Sequence, residues 1–307
     1  MIAFLGIALL AGFLLANQSP INTDLRGYAG SPLSAGLISF AVGTVFLAFV
    51  TLIVTHSFLP SLAFISHAPW WIWLGGLLGA IYLTSNILLF PRLGALQTVI
   101  LPIFGQILMG IAIDTNGWFF APELPLTLMR ILGIVLLIIG MLSAVVLPSL
   151  TGKKTEKAKQ NLLPWQIWGV VIGMMGATQQ AINGHLGVAL HNTPEASFVS
   201  FLVGTVLIFI VVLIVDKRLP SLKNLRQAKV WNFSGGILGA LFVFATVVCV
   251  PQIGAGLTIM MGLIGQIVGS IIVQQFGLWR SVKLSVNRWQ IIGVLIMLVA
   301  VGVIKFL

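Results

Sequence analysis

Charge is what this sequence has least of. Only 7% of its 307 residues are charged, whereas a soluble domain carries about 25%. No soluble fold of this length could cover its surface with so few. Acidic residues are the scarcest: Asp24, Asp114, Glu123, Glu156, Glu195 and Asp216 are the whole set. None falls at the middle of an apolar run, where a proton-coupled exporter of cations often keeps a carboxylate. Cys249 is the only cysteine, so no intrachain disulfide can form, and its apolar neighbours mark it as a packing residue. Metal-ligand clusters, phosphate-binding glycine loops, hydrolase nucleophile motifs and dinucleotide fingerprints are all missing. The expectation is therefore no enzyme activity, no cofactor and no metal.

What fills the chain instead is apolar. Hydrophobic residues make up 59% of it. Runs near 20 residues recur, each about long enough to cross a bilayer core of roughly 30 Å as a helix. The runs do not alternate polar with apolar residues, as barrel strands would. The expected fold class is an all-α polytopic membrane protein. The net charge of +10 is read as loop charge that sets membrane orientation, not as a nucleic-acid surface. The first segment, MIAFLGIALLAGFLLANQ, lacks the basic start of a signal peptide and is expected to be a retained helix.

An internal repeat organises the chain. Adding 161 brings Ala16, Gln18, Ile21, Asn22 and Leu25 onto Ala177, Gln179, Ile182, Asn183 and Leu186. "SFAVGTV" from Ser39 then falls on "SFLVGTV" from Ser200. After one deletion the offset is 160. "LPSL", "GGLLGA", "PRLGA" and "GQI" of the first half, from Leu59, Gly75, Pro91 and Gly105, meet their counterparts from Leu219, Gly235, Pro251 and Gly265. Matches kept in order over so much chain indicate duplication.

The pattern predicts ten transmembrane helices as two five-helix repeats. Residues 1–150 form the first, 151–163 a basic cytoplasmic linker, and 164–307 the second. The spans are expected near residues 2–22, 33–54, 70–90, 94–113 and 130–148, then near 164–186, 194–215, 231–250, 254–275 and 288–306. An odd number of spans turns the second repeat upside down. With the linker inside, 14 basic residues fall on the inner side and only Arg130 and Lys305 on the outer, as loop charge requires. Inverted repeats joined by a short linker are a common plan of secondary transporters.

Polar residues inside apolar runs are the site candidates. Gln18 and Asn22 share a helix face, as do Gln179 and Asn183. These amides either contact a neutral or zwitterionic substrate or join helices by hydrogen bonds. Gln106 and Gln266 lie deeper in their spans, each after a glycine, and are the better candidates for a substrate site. Pro102, one turn before Gln106, can kink the helix and free a carbonyl. Ser39, Thr44, Ser200 and Thr205 are read as bonding to their own backbone, and Gly75, Gly79, Gly235 and Gly239 as small residues for close helix packing. Asp114, at the outer end of its helix, is the candidate proton site. Gln274 replaces it in the second half, which favours an interfacial charge. His185, which matches Asp24 by position, is expected at the outer interface without a metal role.

The "Q..IN..L", "SF.VGT", "PR.GA" and "GQ" patterns quoted above make the chain resemble the YdcZ-like family of the drug/metabolite transporter superfamily, in its fused two-repeat form. The resemblance runs through nearly the whole length, once per half. It implies a protein of the bacterial inner membrane. The second half departs from the pattern with Gln252 for Arg92 and Gln274 for Asp114.

The function expected is a secondary transporter of a small polar or amphipathic metabolite, working by alternating access. The alternatives are a lipid flippase or scramblase and a membrane scaffold without transport. The partners expected are a small-molecule or lipid-like substrate and membrane lipids. One fused chain can suffice, with a homodimer as the alternative. Reporter fusions test the orientation: a fusion at Leu307 should report from outside and one in the linker from the cytoplasm. The reverse at either place would contradict it.

Overall fold

The computed structural model describes residues 2–55, 60–121, 123, 125–147 and 161–306. Linker residues 151–160, with Lys153, Lys154, Lys157 and Lys159, and the side chain of Gln252 lie outside the described residues. Among the described residues the chain is helical and has no strand. The first half holds α1 (Ile2–Ala29), α2 (Pro32–Thr55), the short α3 (Leu62–His67), α4 (Leu74–Asn116) and α5 (Leu128–Val145). The second half holds α6 (Leu163–Leu190), α7 (Thr193–Val215), the short α8 (Leu222–Leu225), α9 (Ser234–Phe276) and α10 (Arg288–Phe306). Each element has its counterpart five places on. Six described segments are long and apolar enough to cross a membrane by length and composition, the make-up of a polytopic membrane protein.

Local chemistry sets the ends. Thr127 caps α5 by accepting from the Arg130 N–H, and Asn192 caps α7 by accepting from the Glu195 N–H. Gly117 and Gly277 stop α4 and α9 at φ 61° and 63°, the left-handed conformation glycine adopts without a Cβ clash.

The two spans expected near residues 70–90 and 94–113 form one helical element of 43 residues. A straight helix of that length would reach about 65 Å, far more than a bilayer core. It is broken at Gly94, where φ is 76° and ψ 175°. The Gln106 amide donates to the Tyr82 hydroxyl at 3.3 Å; the two residues lie equally far on either side of Gly94. Trp71, just before α4, has its ring 5.5 Å from that of Phe119, just after it. Residues 74–93 and 95–116 therefore run antiparallel. Trp231 and Trp279, which flank α9, are 5.3 Å apart, so α9 returns on itself in the same way.

The halves interlock rather than sit side by side. The longest contacts of α1 are with α9, and those of α6 are with α4. Helices α2 and α7 pair with each other, as do α5 and α10. Equivalent residues meet where such pairs cross: Thr44 and Thr205 share a 2.7 Å hydrogen bond, and the rings of Phe40 and Phe201 lie 4.9 Å apart. Each hydroxyl also lies 2.8 Å from the carbonyl one turn back, so one threonine donates to its partner and the other to its own carbonyl.

Backbone approach makes the interlock tight. A Cβ on Gly173 of α6 would overlap the Pro102 backbone of α4, and one on Gly12 of α1 would overlap the Gly262 backbone of α9. By contrast, a Cβ on Gly6 would meet nothing within 4 Å. Gly173→Ala should thus lower the detergent melting temperature, with an overpacking cost of about 1–3 kcal/mol. Gly6→Ala should leave it unchanged or raise it. Equal stability of the two variants would contradict this packing.

Candidate functional site

A cavity of about 790 Å³ opens at the end of the bundle where α4 and α6 finish. Phe40 and Phe201, in contact with each other, are among its lining residues. The returning arm of α4 supplies Gln106, Ile113 and Asp114, and its outgoing arm supplies Gly79 and Tyr82. Helix α6 contributes Gln179, Asn183 and His185, and α1 reaches in with Gln18. At the rim Phe120 stacks on His185 with ring centroids 4.7 Å apart, and Trp71 lies 5.3 Å from the same imidazole. Phe120 remains 76% exposed, so this rim stands open.

The structure separates the residues singled out in the sequence. Gln18, Gln106, Gln179, Asn183 and Asp114 line the cavity. Asn22 and Gln266 are buried and are not among its lining residues. Asn22 and Asn183 also lie deeper than their expected spans implied, because α1 runs on to Ala29 and α6 to Leu190.

The amides are seated on glycines of the opposite half. Gln18 occupies the space a Cβ on Gly239 would need, and Asn22 does the same at Gly235. Gln179 and Asn183 take the matching places at Gly79 and Gly75. These glycines leave room for amides rather than only for helix backbones. The Gln18 amide donates to the Gly235 carbonyl at 2.9 Å. Both polar atoms of Asn22 and the Asn183 Oδ1 are buried without a hydrogen-bond partner. Such groups cost about 1–3 kcal/mol each.

The opposite end of the bundle is shut. The Asp24 carboxylate accepts from Asn232 at 2.8 Å and lies 3.6 Å from the Arg280 guanidinium. Arg280 also donates to the Tyr28 hydroxyl at 3.1 Å, and the Trp279 indole donates to Asn17 at 2.7 Å. Asp216, after α7, accepts from Ser31 and from Ser34 at 2.9 Å, tying it to the start of α2. The repeat offsets map Asp24 onto His185, Trp279 onto Phe119, Arg280 onto Phe120 and Trp231 onto Trp71. The closed end and the open rim are thus built from equivalent positions. Phe119, Phe120, Trp279 and Arg280 all adopt φ between 56° and 60°, an uncommon backbone for non-glycine residues that recurs in both halves.

Sequence reading missed Tyr82, Phe119, Phe120, Trp279, Arg280 and Asn232. One signal was available: Gly117 aligns with Gly277, and an aromatic residue follows two places later in each half. Among the described residues, no group of three or more His, Cys, Asp or Glu is placed to hold a metal ion.

A further contact between the halves spans the Gly94 break. Gln274 Oε1 accepts from the Leu96 N–H at 3.3 Å, and its Nε2 donates to Gln290 Oε1 at 3.4 Å. The break frees backbone donors at the start of the second arm, and a side chain from the other half satisfies one of them.

Comparison with known proteins adds a family. The family model described as "Putative inner membrane exporter, YdcZ" matches residues 3–143 and again 164–303. A solved crystal structure of a protein is similar over 96% of this chain and 95% of its own, with a TM-score of 0.61 and 12% identity. At that identity the likeness carries the fold alone. No curated protein matches.

Removing the Gln274 acceptor should leave the Leu96 N–H unpaired. Gln274→Leu is expected to destabilise the protein in detergent by about 1–3 kcal/mol, with Gln274→Glu, which keeps an acceptor, less affected. Unfolding curves that show no difference between Leu and wild type would contradict this role.

Proposed function

We propose, from the premise that this chain belongs to the YdcZ family, that it is a secondary transporter working by alternating access. Residues 1–150 and 164–307 act as two inverted repeats of five membrane-crossing segments each, joined by the cytoplasmic linker 151–163. In this reading α4 and α9 each supply two segments, one on either side of their turns. One chain then provides both halves of the machine. Inverted repeats around a central site are a recurring transporter plan.

One observation carries the reading. The cavity opens at one end of the bundle, and residues equivalent by the repeat to those of its rim shut the other end. An exchange of conformation between the halves would close the Phe120–His185 rim and open the Asp24–Arg280 end. Basic residues support an orientation. Arg26, Arg92, Arg280, Lys283 and Arg288 gather around the closed end, which loop charge assigns to the cytoplasm. The cavity then faces outward.

The proposed binding groups are Gln18, Gln106, Gln179 and Asn183 in this state. Asn22 and Gln266, their counterparts from the other half, would line the cavity that opens inward. A volume of about 790 Å³ is in the range of small-molecule sites. The substrate is a small polar or amphipathic metabolite, and the direction is export. Asp114 is proposed as a structural charge rather than a coupling proton site, because Arg130 pairs with it at 3.9 Å.

Single cysteines in a Cys249→Ser background test the reading. Gln106→Cys should react with a membrane-impermeant thiol reagent applied from outside. Gln266→Cys should react only with reagent on the cytoplasmic side. Labelling of neither in folded protein would leave the amides as interhelical bonds, and labelling of both from one side would contradict alternation.

A further inference from the structure

Asp114 and Arg130 form a pair beside the cavity mouth, with Arg130 Nη2 3.9 Å from Asp114 Oδ2. The Arg130 side chain is only 9% exposed and that of Asp114 21%. Arg130 also donates to the Pro125 carbonyl at 3.5 Å, which holds its guanidinium at the start of α5. Only the carboxylate faces the cavity.

The repeat gives this pair a counterpart. Adding 160 takes Asp114 to Gln274 and Arg130 to Gln290. Those two residues contact each other as well, with Gln274 Nε2 donating to Gln290 Oε1 at 3.4 Å. An ion pair in one half and an amide pair in the other hold equivalent places. Both have zero net charge.

The rest of the cavity is consistent with that neutrality. Among the described lining residues there is no lysine or arginine, and Asp114 is the only carboxylate. Its other polar groups are chiefly amides, hydroxyls and imidazoles set among phenylalanine rings. A carboxylate without its cation, in a site of low dielectric, would draw in any amphipathic cation.

We infer that Arg130 is a specificity-determining residue: by neutralising Asp114 it makes the cavity select uncharged molecules with an apolar body and hydrogen-bonding groups. The inference rests on the cavity being the binding site, as proposed above. Arg130 touches no substrate in this account and acts through Asp114 alone.

The test is binding to purified protein by calorimetry, with detergent blanks. Three probes of related shape and different charge serve: triphenylphosphine oxide (neutral), tetraphenylphosphonium (cation) and tetraphenylborate (anion). The wild type should prefer the neutral probe. Arg130→Gln should gain about tenfold for tetraphenylphosphonium, the size expected for one unmasked charge at a half-buried site. Asp114→Asn leaves the guanidinium unmatched and should shift preference toward tetraphenylborate instead. Because it keeps the side-chain shape, it carries the test if Arg130→Gln does not fold. In the double variant Asp114→Gln with Arg130→Gln, both gains should vanish. A wild type that prefers the cation would overturn the inference. So would neutral binding in every variant with no charge-dependent shift, an outcome that leaves the cavity reading standing. If no probe binds any folded variant, the cavity reading fails, and the inference with it.

Discussion

The fold depends on a close crossing between halves, in which the first helix of each repeat lies along the long helical hairpin of the other. Glycine backbone makes the approach short enough, at Gly12 against Gly262 and at Gly173 against Pro102. The same crossing seats Gln18 and Asn22 on Gly239 and Gly235, and Gln179 and Asn183 on Gly79 and Gly75. Within a bilayer, lipid is as apolar as the helix surfaces, so association relies on packing and on interhelical hydrogen bonds. Small residues provide the first, and the Gln18 bond to the Gly235 carbonyl contributes to the second. Neither half has its own seat for its own amides, so each half completes the other.

This arrangement makes the two ends comparable. At one end Asp24 is joined to Asn232 and Arg280 by a hydrogen bond and an ion pair, and Trp279 donates to Asn17. At the other, the equivalent positions hold His185, Phe120, Ile72 and Phe119, and a cavity lies beneath them. The shut end uses directional polar contacts; the open rim uses ring stacking, which is less directional and worth about 0.5–1.5 kcal/mol per pair beyond burial. Under the proposed alternating access, this ring stack would tighten without needing a partner of opposite charge.

Much of this was legible before any coordinates. The offsets of 161 and 160 pair residues that do meet across the two-fold relation, as Thr44 and Thr205 do. They also pair contacts, as with Asp114–Arg130 and Gln274–Gln290. The amides at Gln18, Gln106, Gln179 and Asn183 were marked by their place in apolar runs, and all four line the cavity. An internal repeat tells which residues are equivalent, but not which elements of the two halves touch. For that reason the sequence alone marks the glycines as helix contacts rather than as amide seats, and leaves the rim aromatics unmarked. Helix ends were uncertain for a different reason: apolar runs stop where polarity rises, whereas the helices continue until a cap. The Gly94 break was expected as a gap between two spans, but its backbone conformation and its Gln274 partner required coordinates.

Alternating access requires reciprocal motion of the two ends. Pulsed electron–electron resonance between spin labels gives both distances in reconstituted protein. Labels at Trp118 and Val188 report the open rim, where both side chains are exposed, and labels at Arg26 and Leu284 report the closed end. Replacing Asp24 with asparagine weakens the closure. The account predicts a population in which the closed-end distance lengthens while the rim distance shortens. Distances that stay fixed at both ends, or that lengthen together, would contradict it.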